Sequence, residues 1–272
     1  MATGKTDGNA SSVDQNGIKQ QKIVSLDSSA DQMRDYTLYD PRIQRMEEVV
    51  EFSYSDLDER KLIYPEMKQS RVVNRFRELR TQLLEKSSDK NFIVMVTSIC
   101  GEGGATYVAS NLAMAFSIDS SKTALLIDAN LGKPDLDDIF GLEGVEHGLT
   151  GFLENNQVDI EQIIYASGVK RLRVVPAGHR TEYASEYFNS QRMKIFLKLV
   201  RDRYSDRFVI VDAPPLTETA DVRQLVQLCD MAVVVVPYGK VTGSQVAESL
   251  KAIPKEKLAG LVVNNETILR QR

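Results

Sequence analysis

Residues 97–113 read TSICGEGGATYVASNLA. They follow the apolar run NFIVMV at 91–96 and open into small and apolar residues at helical spacing. A glycine-rich turn between a strand and a helix is the setting of a phosphate-binding loop, where backbone N–H groups and the helix dipole hold the anion. The working pattern, G-x-x-x-x-G-K-S/T, adds a lysine that reaches the β- and γ-phosphates and a hydroxyl for Mg²⁺. With Gly103 as the last loop glycine, the lysine position is Gly104 and the hydroxyl position is Ala105. Thr106 then comes one position late, about 100° around the helix. Two readings stand side by side. Gly101, Glu102, Gly103, Gly104, Ala105 and Thr106 keep a backbone nest that binds ATP or ADP weakly, or the stretch is a tight turn needing glycine for sterics.

Working outward, KTALLIDA (122–129), RLRVVPAG (171–178), RFVIVDAPP (207–215), DMAVVVVPY (230–238) and LAGLVVNN (258–265) are short β-branched runs without polar alternation. Strands of that kind are buried on both faces, as in a parallel sheet. Helical patterns lie between them at 105–118, 159–166, 190–204, 219–228 and 242–253. The alternation predicts a three-layer α/β/α domain of the P-loop NTPase type with a mostly parallel central sheet. Ahead of it, Val72, Phe76, Leu79 and Leu83 recur at steps of three and four, an amphipathic helix.

The domain is expected to span 66–272, with 1–65 a disordered or loosely ordered extension. That extension carries Tyr36, Tyr39, Tyr54 and Tyr64 and a short helical pattern over 43–52. Its tyrosines are either phosphate acceptors or packing anchors. A net charge of −4 argues against a general nucleic-acid binder. Cys100 and Cys229 lack C-x-x-C spacing, so neither a disulfide framework nor a zinc site is expected. The N-terminus has no apolar signal region and no run is long enough to span a bilayer, so a soluble cytoplasmic chain is expected. His147 and His179 read as loop residues.

The segments RFRELRTQL, VTS, GEG, SNLA, ALLIDANLGKPDL, FVIVDAPP and LAGLVVNN follow one another in order. In that order the chain resembles the cytoplasmic P-loop domain of bacterial tyrosine autokinases, the family of capsule and exopolysaccharide export, over roughly residues 68–265. The resemblance implies an ATP-dependent protein-tyrosine kinase fold, Mg²⁺ as its cation and a homo-oligomer. It also implies a partner, an inner-membrane polysaccharide co-polymerase or chain-length regulator, which would hold the chain at the inner membrane. The family's P-G-E-G-K-S/T is altered here, and its D-x-D-x-R becomes DANLG, keeping Asp128 but placing Asn130 and Gly132. Asp212 keeps the third acidic position, and Arg77 and Arg80 remain from the oligomerisation motif E-x-x-R-x-x-R, whose acid is Asn74. No tyrosine follows Tyr238, so the family's tyrosine-rich tail is absent from this sequence.

Asp128 and Asp212 are therefore a residual catalytic pair that would hold Mg²⁺, or two strand-end aspartates capping turns. The expected function is a kinase-like, catalytically degenerate regulator of exopolysaccharide or capsule synthesis. One alternative is an active autokinase in which Lys133 replaces the missing lysine. A second is a partitioning-type ATPase of the same superfamily.

Overall fold

The computed structural model describes residues 51–67, 70–87, 91–119, 122–142, 144–203, 207–218 and 222–265. Tyr36, Tyr39 and the helical pattern over 43–52 lie outside them, apart from Glu51 and Phe52, which are not helical. Each of the six apolar runs becomes a strand. In chain order the strands are β1 (Ile93–Ser98), β2 (Thr123–Asp128), β3 (Tyr165–Ala166), β4 (Leu172–Val175), β5 (Arg207–Asp212), β6 (Met231–Pro237) and β7 (Leu258–Asn264). They form one seven-stranded sheet in the order β3-β4-β2-β5-β1-β6-β7. Every pairing is parallel except that of the two-residue β3 with β4.

The helices are α1 (Tyr54–Glu59), α2 (Ser70–Ser87), α3 (Ala105–Ser117), α4 (Leu136–Phe140), α5 (Leu149–Glu154), α6 (Ala184–Asn189), α7 (Gln191–Arg203), α8 (Val222–Leu228) and α9 (Gly243–Ser249). Alternate strand residues point to opposite sheet faces, and the core divides accordingly. Ile93, Met95, Leu125, Ile127, Val209 and Val211 pack with Phe152, Phe196 and Leu225 of α5, α7 and α8. Val94, Val96, Leu126, Phe208 and Ile210 face α2 and α3 through Val73, Leu83, Leu112 and Phe116. Phe116 and Phe208 pack with ring centroids 4.5 Å apart and planes tilted by 31°. These are the three expected layers. The exception is β7, an edge strand, where Leu261 and Val263 are exposed although the run reads as buried on both faces.

The ordered domain begins earlier than residue 66. Ser53 caps α1: its hydroxyl accepts the Asp56 N–H, and the Asp56 carboxylate accepts the Ser53 N–H at 2.8 Å. Leu57, Leu62, Ile63 and Tyr64 are buried against α3 and its neighbours. Asn111 of α3 fastens the segment, with Oδ1 accepting the Ile63 N–H at 2.7 Å and Nδ2 donating to the Lys61 carbonyl at 3.0 Å. Arg60 Nη1 donates to the carbonyls of Asp138 and Ile139 in α4, at 2.8 and 2.7 Å. Residues 51–65 are therefore part of the domain, through a capped turn and four buried side chains. No helix among the described residues is long and apolar enough to cross a membrane.

Candidate functional site

The loop 99–104 leaves the carboxyl end of β1, a central strand, beside β5 and β6. Ligands of open α/β sheets bind in this crevice. The loop is held from all sides. The Ile99 N–H donates to Val235 O at 3.0 Å, the Leu216 N–H to Ser98 O at 2.8 Å, and Asn264 Nδ2 to Gly103 O at 3.2 Å. Helix α3 starts at Ala105, with Gly104 as its N-cap at φ +89°, a left-handed conformation suited to glycine. A Cβ on Gly103 would stand 2.6 Å from the Ser98 Cβ and 2.9 Å from the Cys100 carbonyl, so this position is also closed to a side chain.

That geometry corrects the alignment of the loop read from sequence. The phosphate-loop lysine is followed by the Mg²⁺ hydroxyl. Here Thr106, the second residue of α3, sets its hydroxyl near the Asp212 carboxyl, close enough to draw it back toward ionisation though in hydrogen-bond geometry with neither oxygen. Thr106 thus faces Asp212 instead of pointing 100° away. The lysine position moves to Ala105, the first helical residue, and Gly104 becomes the last loop glycine. Glu102 then occupies the place of the first glycine in P-G-E-G-K-S/T, and its φ of +53° is that of a glycine site. On this alignment Ala105 stands at the lysine position and Thr106 at the hydroxyl position.

Asp128 and Asp212 are direct neighbours on the parallel strands β2 and β5, and both are buried. Asp128 Oδ1 accepts the Asn130 N–H at 3.0 Å, and Oδ2 accepts those of Asp135 and Leu136 at 3.3 and 3.2 Å. Burial pushes its pKa up to about 7 against the pull of these N–H groups, with Asp137 adding to the rise. Asp212 is pushed well above the ordinary carboxylate range, by burial first and by Asp128 second. Both Asp212 oxygens are buried without a hydrogen-bond partner. Asp128 thus caps its own turn, and Asp212 does not. Two hard, unsatisfied oxygens beside a threonine hydroxyl are the donor chemistry of Mg²⁺, with the rest of the shell left to water or phosphate oxygens.

A cavity of about 230 Å³ lies over the loop, lined by Gly101 to Thr106 together with Asn130, Lys133, Asp135 and Glu218, and reaches Ala213 next to Asp212. Among the described residues, none accepts from the backbone N–H of Gly103, Gly104, Ala105 or Thr106. Those unbonded donors have the chemistry of a backbone nest suited to an anion. Lys133 supplies a cation to the lining, and Lys240 Nζ donates to the Glu102 carbonyl at 3.4 Å. Glu218 sets a carboxylate against the loop: its Oε1 lies 2.1 Å from where a Cβ on Gly101 would be. Glu218 and Lys240 carry no motif signal and join the site only through the fold, whereas Asn264 comes from the LAGLVVNN segment.

Arg77 and Arg80, read as an oligomer contact, lie on α2 away from this cavity. Arg80 Nη1 donates to the Ala115 carbonyl of α3 at 2.7 Å, so this arginine fastens two helices of its own chain. His179 is not isolated: its Nε2 lies 3.0 Å from Glu154 Oε1 and its Nδ1 3.1 Å from Thr150 Oγ1. Cys229 is buried, which pushes its thiol up to about 12.

No family model matches the chain. Over 196 residues it is 34% identical to Tyrosine-protein kinase YwqD of Bacillus subtilis (strain 168), covering 71% of this chain and 81% of that protein. The kinase domain of Escherichia coli tyrosine kinase ETK superposes with a TM-score of 0.65 at 24% identity, over 80% of this chain and 90% of that one. A plasmid partition protein from Borrelia burgdorferi gives 0.51 at 18% identity, over 66% of this chain and 84% of that one. These last two are likenesses of fold.

Proposed function

The chain belongs to the bacterial tyrosine-protein kinase family, and from that membership we propose that it is a kinase-like regulator that binds a magnesium nucleotide without efficient phosphoryl transfer. The observation that carries this reading is Ala105 at the first helical position, where the loop's lysine belongs. The nest N–H groups would hold the β-phosphate, while Thr106, Asp212 and Asp128 would hold Mg²⁺. When bound, that ion neutralises charge between the β- and γ-phosphates.

What this chain's own side chains fail to supply is a fixed cation over the phosphoryl group in transfer. Removing one well-placed donor of this kind typically lowers turnover by about 10²–10³. Asn130 and Gly132, where the resemblance places an acid and an arginine, remove two further charges. Glu218 adds a carboxylate to the same cavity and weakens the hold on a polyanion. The residues present thus suit weak binding better than turnover. Calorimetric titration with MgATP and MgADP, followed by an autophosphorylation assay, tests this: binding without labelled product is expected, and stoichiometric phosphotyrosine sinks the reading.

The partner follows from the resemblance. A polysaccharide co-polymerase of the inner membrane would recruit the chain, and the chain would regulate capsule or exopolysaccharide assembly by contact. Co-purification from membranes should recover such a protein; its absence counts against this reading. Homo-oligomer contacts would fall to Arg77, since Arg80 is engaged within the chain.

One observation favours a second reading. Lys133 lines the same cavity as Thr106 and Asp135, so an active autokinase would use it in place of the missing lysine. Autophosphorylation abolished by Lys133→Ala, and by Asp128→Ala, would select that reading. A partitioning ATPase rests on likeness of fold alone.

A further inference from the structure

We propose that Tyr54 is a substrate of a protein-tyrosine kinase, and that its phosphorylation releases residues 51–67 from the domain. The inference needs no catalysis by this chain. Tyr54 is 54% exposed, while Tyr64 beneath it is 8% exposed. Their rings stack with centroids 4.6 Å apart and planes 8° from parallel. The Tyr54 hydroxyl donates to Glu66 Oε2 at 2.8 Å. The Tyr64 hydroxyl donates to the Asp58 carboxylate, 3.1 Å from each oxygen. An accessible hydroxyl thus sits on the aromatic pair that pins the arm, held by the Glu66 carboxylate, which tolerates it only as a hydrogen-bond donor.

In the transfer, Tyr54 Oη attacks the γ-phosphorus of a nucleoside triphosphate supplied by the kinase. The Oη–P bond forms, the bond from phosphorus to the β,γ-bridging oxygen breaks, and the nucleoside diphosphate leaves. The phenolic proton passes to Glu66, which already accepts it in a hydrogen bond, and from there to water.

The product cannot keep the present contacts. Tyr54 becomes an acceptor bearing close to two negative charges, and Glu66 loses its donor and faces a like charge. Three nearby cations are committed elsewhere, the first of them Arg171, whose Nε donates to the Ser117 carbonyl at 3.0 Å. Lys170 pairs with Glu51 at 3.1 Å. Arg60 bonds the carbonyls of Asp138 and Ile139 and lies 4.5 Å over the Phe52 ring. Beneath the tyrosines is a cavity of about 250 Å³ whose lining includes Ile63, Met114, Ile118 and Val169. Lifting the arm would open this apolar floor.

The test uses the full-length chain in two preparations. In one it is incubated with MgATP and an active bacterial tyrosine-kinase domain, and phosphotyrosine is mapped by mass spectrometry. In the other, Tyr54 is phosphorylated quantitatively by genetic encoding during synthesis. Phosphate on Tyr54 is expected in the first, with Tyr54→Phe taking none there. Amide exchange over residues 54–66 is expected to speed up roughly tenfold in both, through like-charge repulsion. An unmodified Tyr54, whether or not other tyrosines are labelled, overturns the substrate assignment. Phosphorylated Tyr54 with unchanged exchange overturns the release.

Discussion

Asn264, at the carboxyl end of β7, occupies the space in which a side chain on Gly104 would begin: its Nδ2 lies 2.0 Å from a Cβ built there. The same amide group donates to the Gly103 carbonyl. The last strand of the sheet therefore closes over the loop that follows the first. Together with the left-handed φ of Gly104, this contact decides which loop residue can carry a side chain into the cavity.

Lysine substitutions at two adjacent positions should behave differently. Gly104→Lys forces a Cβ onto Asn264 and a left-handed backbone onto lysine, which costs on the order of 1–3 kcal/mol for the backbone alone. Ala105→Lys has the open cavity before it and should melt near the parent while binding MgATP at least tenfold more tightly, the gain of one charge-assisted bond. Melting and calorimetry on both variants check this. Equal destabilisation by the two would refute the alignment of the loop.

The acidic pair makes stability fall as the medium becomes alkaline. Both carboxyls hold their protons more tightly in the folded chain than the ordinary value of 3.8, Asp128 with a pKa of about 7. Their neutral forms are fully present in acid, and the stability they lend is lost as pH rises through about 7. Asp212→Asn removes one charge, so it should raise the melting temperature at pH 8 by about 2–4 °C per kcal/mol regained. The difference should fade by pH 4. MgCl₂ should raise the melting temperature of the parent at pH 8 more than that of the variant. A variant melting no higher than the parent at pH 8 contradicts the assignment.

Asn111→Ala should loosen the arm. Deleting the amide leaves the buried Ile63 N–H without an acceptor and the Lys61 carbonyl without a donor. An orphaned buried group costs about 1–3 kcal/mol. Limited trypsin digestion should then cut after Arg60 or Lys61 while the sheet stays protected; an unchanged cleavage rate would contradict the role given to Asn111.

The two arginines of α2 should separate by readout. Arg80→Ala removes a bond to the Ala115 carbonyl and should cost roughly 1 kcal/mol of stability. Arg77→Ala should leave the stability within about 0.5 kcal/mol of the parent, as surface changes do. If Arg77 holds a subunit contact, sedimentation will show a lower mass for that variant alone.

The central strands were legible because a strand buried on both faces must be written as an unbroken apolar run, and six such runs sit where strands form. The smaller pieces carried weaker signals. β3 is two residues long and shows no period. α4, α5 and α6 have five or six residues each, too few for a helical stripe. α1 carries a capping box with Asp56 where glutamate or glutamine is usual, so its start signal is faint. At the loop, GEG matched the family pattern one residue early. Only the start of α3 and the side on which Asp212 lies reveal the shift, and both are tertiary facts. Leu261 and Val263 are exposed because β7 lies at the sheet edge, a position that its composition does not encode.

The strand order also sets a timetable. β1 pairs with β5 and β6, Ile93 lying beside Val209 and Val94 beside Met231. A ribosome adding roughly 5–20 residues per second leaves β1 without either neighbour for on the order of ten seconds. During that interval a strand apolar on both sides is exposed to the cell, and the loop after it has no walls. Lys240 and Asn264, which hold the loop at Glu102 and Gly103, are synthesised 138 and 161 residues after the groups they hold. The site is a late product of translation, and a nascent chain stalled before residue 237 would present the glycines of the loop without the shape they serve.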